Sequence, residues 1–157
     1  MIEAKFVNGV AGASSENGGE KAERAFDHSA PQIWATRWNE YRAHIWYDFR
    51  QHQFTPVRIS FRPRQDHLQY AIEQTPTQFK FIGSNDHECK KEARWITLCE
   101  VRDAKKIQSF DEMRGCEIEA SRRDVGKYRC LGLEVLEVGN EQHASLSQIR
   151  IWIKNQD

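Results

Sequence analysis

The hexapeptide Val57-Arg58-Ile59-Ser60-Phe61-Arg62 alternates apolar and polar side chains without a break. Successive side chains of an extended chain point to opposite faces, so Val57, Ile59 and Phe61 share one face and Arg58, Ser60 and Arg62 the other. This is the signature of a strand with one buried and one wetted side, and whatever packs on it must present a matching apolar face. The pattern recurs along the chain. His44 to Phe49 favours a strand, and Pro56 marks the entrance to the next. Thr77 to Ile82 keeps Phe79 and Phe81 in period two and runs into the turn-like Gly83-Ser84-Asn85-Asp86. Trp95 to Val101, Tyr128 to Val138 and Leu146 to Ile153 complete the set, the last placing Ile149, Ile151 and Ile153 on one side. Residues 8–20 are rich in Gly, Ser, Asn and Ala and are expected to form a loop. The segment from Asp103 to Met113 is expected to be a short helix. Short strands separated by turn signals, with no fixed repeat, predict an all-β fold: an antiparallel β-sandwich or jelly roll.

A chain of 157 residues is long enough to bury roughly two-thirds of its unfolded surface, which predicts a single domain over residues 1–157. The core must draw on aromatic area, since the apolar fraction is 39% but includes five Trp, eight Phe and four Tyr. Charge balances at 23 basic and 23 acidic residues, so no overall field draws the protein to nucleic acid or anionic lipid. No apolar run is long enough to span a bilayer, and the acid-bearing N-terminal stretch has no signal-like h-region, so the chain is expected in the cytoplasm. The four cysteines, Cys89, Cys99, Cys116 and Cys130, form no CxxC pair. Reduced thiols are expected, with Cys116–Cys130 or Cys89–Cys99 disulfides as the alternatives.

Asp86-His87-Glu88-Cys89 gathers four ligand types, but consecutive turn residues cannot all face one ion, so no transition-metal site is expected. No cysteine–histidine arrangement suggests a nucleophile, and no catalytic residue is expected. The arginines Arg58, Arg62 and Arg64, with Arg37, Arg42 and Arg50, form either a patch for anionic groups or an exposed sheet face paired with glutamates.

The order Ala13-Ser14-Ser15, Asn17-Gly18, Ala25-Phe26-Asp27, Trp34, FKFIGSND, Trp95, KYRCLGLEVLEV and ASLSQIRIW resembles the discoidin family, also called factor V/VIII type C or galactose-binding-like. The resemblance covers nearly the whole chain. It implies an eight-stranded distorted jelly roll with neighbouring termini and ligand-binding loops at one end. It also implies a non-enzymatic module for a carbohydrate or similar polar ligand, or, as the alternative, an intracellular protein-interaction module. Galactose-binding members carry a stretch like IWHTxW whose histidine bonds the sugar; Ile33 to Trp38 matches it with Ala35 in the histidine's place. The PRQD element is kept as Pro63-Arg64-Gln65-Asp66, and the asparagine expected after it falls at Tyr70. The family's structural calcium implies Asp27 as ligand, but Gln32 and Gln148 stand where a threonine and a glutamate are usual, so no cofactor is expected, with calcium as the open alternative.

A sugar site needs an aromatic plane for the C–H face of the ring and fixed polar groups for its hydroxyls. Arg37, Trp38, Arg64, His67 and Tyr70 are the expected contacts. Trp34 is expected in the core.

Overall fold

The computed structural model describes residues 1–29, 32–123, 125–140 and 142–155. Ten strands form two facing sheets in which every ladder is antiparallel. The first contains β1 (Ile2–Glu3), β3 (Ile33–Ala35), β5 (Pro56–Arg62), β8 (Arg114–Glu117) and β10 (Ser145–Ile153). Its order is β1-β10-β5-β8, with β3 also paired to β10. The second contains β2 (Val10–Ala13), β4 (His44–Asp48), β6 (Pro76–Ser84), β7 (Ile96–Val101) and β9 (Cys130–Val138), in the order β2-β4-β9-β6-β7. Two short helices, α1 (Ala22–Phe26) and α2 (Leu68–Gln74), lie between strands. The architecture is the antiparallel β-sandwich predicted from the alternation, and Ile2 pairs with Ile153, which brings the two ends of the chain together.

The alternation explains the core. Ile59 and Phe61 of β5 and Ile149 and Ile151 of β10 are fully buried against Ile45, Phe79, Phe81, Leu131 and Leu133 of the opposite sheet. Phe61 and Phe79 meet edge to face across the sandwich with centroids 5.0 Å apart, an arrangement favoured by the ring quadrupole. All six expected strands form. The four additional ones, β1, β2, β3 and β8, are two to four residues long, too short to display a period.

Three expectations are corrected. Asp103 to Met113 is not helical: Ile107 is buried and the Ala104 N–H donates to the Thr77 carbonyl at 3.0 Å, which pins the segment as an extended connection. A short helix needs an apolar face to bury, and here Met113 stays exposed. Within residues 8–20, Val10–Ala13 pairs with β4 as a strand. The cysteines are not free, and neither anticipated pairing occurs. Cys99 on β7 is joined to Cys116 on β8, linking the edges of the two sheets, and Cys89 is joined to Cys130 at the start of β9. Strand register makes these pairings, since it brings the Cα atoms to 6.2 and 6.4 Å.

The Cys89 link holds the loop from His87 to Arg94 over the outer face of the second sheet. Trp95 reaches back to the Lys90 carbonyl (2.9 Å) and packs 6.0 Å from both the His44 and Trp46 rings. Trp46 lies over Gly12, where a Cβ would come within 2.7 Å of the indole. The loop is therefore a cover for an aromatic face.

Candidate functional site

At the end of the sandwich where β5 stops, Pro63 interrupts the strand and the chain turns toward α2. The pyrrolidine removes a ladder donor, so β5 cannot continue and Arg64 is released from the sheet face that carries Arg58 and Arg62. Its side chain folds inward: the residue is 9% exposed. Nε and Nη2 donate to the two Asp66 oxygens at 2.7 and 2.9 Å, and Nη1 donates to Gln74 Oε1 at 2.9 Å. Glu20 Oε2 lies 3.7 Å from Nη2. The hydrogen bonds from Arg64 hold the Asp66 carboxyl below the usual carboxylate range, and Asp66 in turn raises the guanidinium further above its ordinary value. A guanidinium carries five N–H donors, and these three bonds leave one on each terminal nitrogen for another acceptor.

Gln74 reaches Arg64 because α2 places it at the last helical position, with Ala71 and Gln74 as its buried residues. His67 caps the helix, Nδ1 accepting from the Tyr70 N–H at 3.4 Å, and its ring stacks on Tyr70 with centroids 4.1 Å apart. Tyr70 is thereby held over the site, 5.4 Å from the Arg64 guanidinium carbon. On the other side, Arg37 to Glu40 forms a turn, the Glu40 N–H donating to the Arg37 carbonyl. Asn39 supplies the positive φ of 65° this turn needs, and Trp38 is left 66% exposed at its tip.

These segments enclose a cavity of about 360 Å³ lined by Asn17, Glu20, Ala35, Trp38, Arg64, Tyr70, Gln74 and His143. Three of the five expected contacts, Trp38, Arg64 and Tyr70, meet here. The other two do not line it. Arg37 turns to a neighbouring depression, where Nε donates to the Glu16 carbonyl, and His67 supports Tyr70 from behind. Trp34 is fully buried with its indole N–H on the Ser15 carbonyl, as expected of a core residue. Asn17, Glu20, Gln74 and His143 were not anticipated. The Asn17 N–H donates to the Ala35 carbonyl and the Ala35 N–H to the Glu20 carbonyl, so β3 carries Asn17 and Glu20 to the cavity rim. β10 pairs Ser145 with Ala35 and thereby brings His143 there too.

A larger cleft, of 840 Å³, lies between the N-terminal segment and α1 around Phe6, Phe26 and Tyr47. Three of its polar groups are committed: the Tyr47 hydroxyl accepts from the Gly9 N–H, His28 bonds the Ile149 carbonyl and Arg150 pairs with Glu3. The smaller cavity keeps uncommitted donors beside exposed aromatic planes and is the stronger candidate.

The arginines do not form one patch. Arg58 stacks on Trp152 at 4.0 Å, Arg42 approaches Glu137 and Arg64 is buried in its own network. Around Asp27, Oδ1 accepts from the Ser29 N–H and hydroxyl at 2.9 and 2.6 Å, and Oδ2 accepts from the Gln32 amide at 3.2 Å. These bonds, those from Ser29 foremost, lower its pKa. Gln32, at the position where the resemblance has a threonine, turns its amide nitrogen to the carboxylate. Among the described residues one other group has metal-like spacing, Asp48, Cys89 and Cys130 within 4.8 Å. Its two sulfurs are joined to each other, and Arg129 Nε lies 3.1 Å from Asp48.

No protein-family model and no curated protein matches the chain. Solved structures do. A family 32 carbohydrate-binding module of Clostridium perfringens NanJ, in complex with galactose, superposes with a TM-score of 0.68 at 14% identity over 96% of this chain and 97% of that one. A family 32 module from a family 31 glycoside hydrolase of the same organism gives 0.73 at 15% identity, covering 98% and 96%. A chitosan-binding module from a Paenibacillus sp. IK-5 chitosanase/glucanase, in complex with chitotriose, gives 0.72 at 13% identity, covering 95% and 99%. The chain has the fold of these binding modules from end to end.

Proposed function

We propose that the protein is a non-enzymatic carbohydrate-binding module whose site is the cavity between Trp38 and Tyr70. The observation that carries this reading is Arg64: a buried guanidinium, fixed by Asp66 and Gln74, that keeps two N–H groups uncommitted between two exposed aromatic side chains. A fixed donor contributes more to binding than a mobile one because less ordering entropy is lost when a ligand arrives. The aromatic planes suit the C–H face of a pyranose. Neighbours of the same fold named as binding galactose and chitotriose support the assignment, as does their description as binding modules. The same fold, with the ordered motifs FKFIGSND, KYRCLGLEVLEV and ASLSQIRIW, supports kinship with the discoidin family.

The module works without calcium in this reading, because Ser29 and Gln32 already supply donors to Asp27. Its two cystines suit an oxidising compartment better than the cytosol, where such pairs are reduced. A glycan array spanning neutral, amino, N-acetylated and acidic sugars tests the assignment: hits that disappear in Arg64→Ala support it, and a blank array ends it. Melting with and without a chelator tests the metal statement. Equal melting temperatures are expected, and stabilisation by added calcium would refute it.

A further inference from the structure

The cavity floor at Ala35 presents a methyl group, and the polar groups beside it arrive from two other segments. Glu20 comes from the turn before α1, its Oε1 accepting from Asn17 Nδ2 at 3.0 Å. His143 comes from the connection leading into β10, with Nδ1 2.9 Å from the Thr36 carbonyl oxygen. Thr36 is itself fully buried and welded to the same connection, its N–H donating to the Ala144 carbonyl and its hydroxyl accepting from the Ala144 N–H, both at 2.9 Å. A carbonyl can only accept, so His143 Nδ1 carries the proton. In the neutral ring Nε2 is then a bare lone pair, and the anchor prevents the ring from exchanging the two nitrogens.

We propose that His143 is the residue that selects the ligand: its Nε2, left without a proton by the Thr36 anchor, accepts a hydrogen bond from a hydroxyl or amino group placed over Ala35. The proposal rests on the carbohydrate reading above and deepens it. Arg64 brings donors to the cavity, with Glu20 3.7 Å from its Nη2, and His143 brings an acceptor. The site thus suits a sugar that offers both a lone pair and a donor. The charged groups lining the cavity around the ring are Glu20 and Arg64, of opposite sign. The position supplies this function through β3–β10 pairing, because Ala35 stands opposite Ser145, two residues beyond His143.

Two substitutions separate anchor from acceptor. His143→Asn places an amide N–H where Nδ1 is and so keeps the Thr36 bond while removing Nε2. His143→Gln reaches to the Nε2 position with an amide oxygen and gives up the anchor. The strongest glycan found on the array is titrated against wild type and both variants at pH 8, with melting temperatures as the folding control. Loss of one hydrogen bond predicts roughly threefold to tenfold weaker binding for His143→Asn. His143→Gln should stay closer to wild type, since its amide oxygen restores an acceptor at the Nε2 position. Wild-type affinity in a folded His143→Asn, or a folded His143→Gln no closer to wild type than His143→Asn, overturns the proposal while leaving carbohydrate binding intact. A blank array removes the carbohydrate reading and the proposal together.

Discussion

Tryptophan, histidine, arginine and carboxylate converge at two places in this molecule. At the end of β5 they are Trp38, His143, Arg64 and Glu20; on the outer face of the second sheet they are Trp46, Trp95, His44, Arg129 and Asp48. In the second group the chain itself ties or covers the polar atoms: His44 Nδ1 and Arg129 Nε make no hydrogen bond but are buried. Arg129 Nη2 donates to the Asp86 and His87 carbonyls, its Nε faces Asp48 at 3.1 Å, and the Trp95 indole N–H is on Lys90. The Cys89–Cys130 bond holds the covering loop in place. In the first group Trp38 is largely exposed, and the Arg64 guanidinium keeps two donors free. Residue types alone therefore do not make a site. What separates the two places is whether the fold consumes or covers the hydrogen-bonding capacity it gathers, or leaves it facing a cavity.

The largest effect expected is on the covered region. Cys89→Ser with Cys130→Ser removes a crosslink spanning 41 residues and should cost about 4 kcal/mol by chain entropy; loss of Cys99–Cys116, spanning 17, should cost about 3 kcal/mol. Denaturant titration with and without reductant measures both. In the Cys89/Cys130 variant, Trp46 and Trp95 should also become accessible to an aqueous fluorescence quencher, whereas unchanged quenching would mean that packing alone holds the cover. Next comes Arg64→Ala, which strands the Gln74 side chain, itself 6% exposed, and should cost about 1–3 kcal/mol while eliminating glycan binding. Trp38→Ala isolates binding from folding: stability should stay within about 0.5 kcal/mol, since the side chain is exposed, while affinity for the array-selected glycan falls at least roughly fivefold. Equal affinity would remove Trp38 from the site and leave Tyr70 as its aromatic wall.

The sandwich was legible in the sequence because a strand with one dry face writes its geometry into every second residue, as Ile59 and Phe61 do. The site was legible in part. Trp38 and Arg64 stand in motifs that announce a turn after a strand, but Arg64's burial depends on Gln74, and Gln74 depends on α2. That helix buries only Ala71 and Gln74 and leaves Leu68 and Tyr70 exposed, so it has no apolar stripe to read. Glu20 and His143 are separated from each other by most of the chain and meet through β3, a strand of three residues. The cystines follow the same logic. Their partners are set by strand register, which spacing in the sequence does not encode.

The smallest expected effect lies again in the covered region, where His44 lets the comparison be probed without disturbing the site. Burial lowers the His44 pKa, overcoming the opposing pull of Glu134, whose carboxylate lies 3.9 Å from Nε2. Nδ1 is buried and has no hydrogen-bond partner, so a proton there would be a donor with nothing to receive it. The unfolded chain, with an ordinary imidazole, takes up a proton first as pH falls below about 6.5. Protons then favour the unfolded state, and stability present above that pH is lost as pH drops through the lowered folded-state value. The melting temperature of wild type should therefore fall between pH 7 and pH 5, and His44→Phe, which packs against Trp95 without titrating, should fall less over the same interval. A parallel decline in wild type and His44→Phe would locate the acid sensitivity outside the covered face.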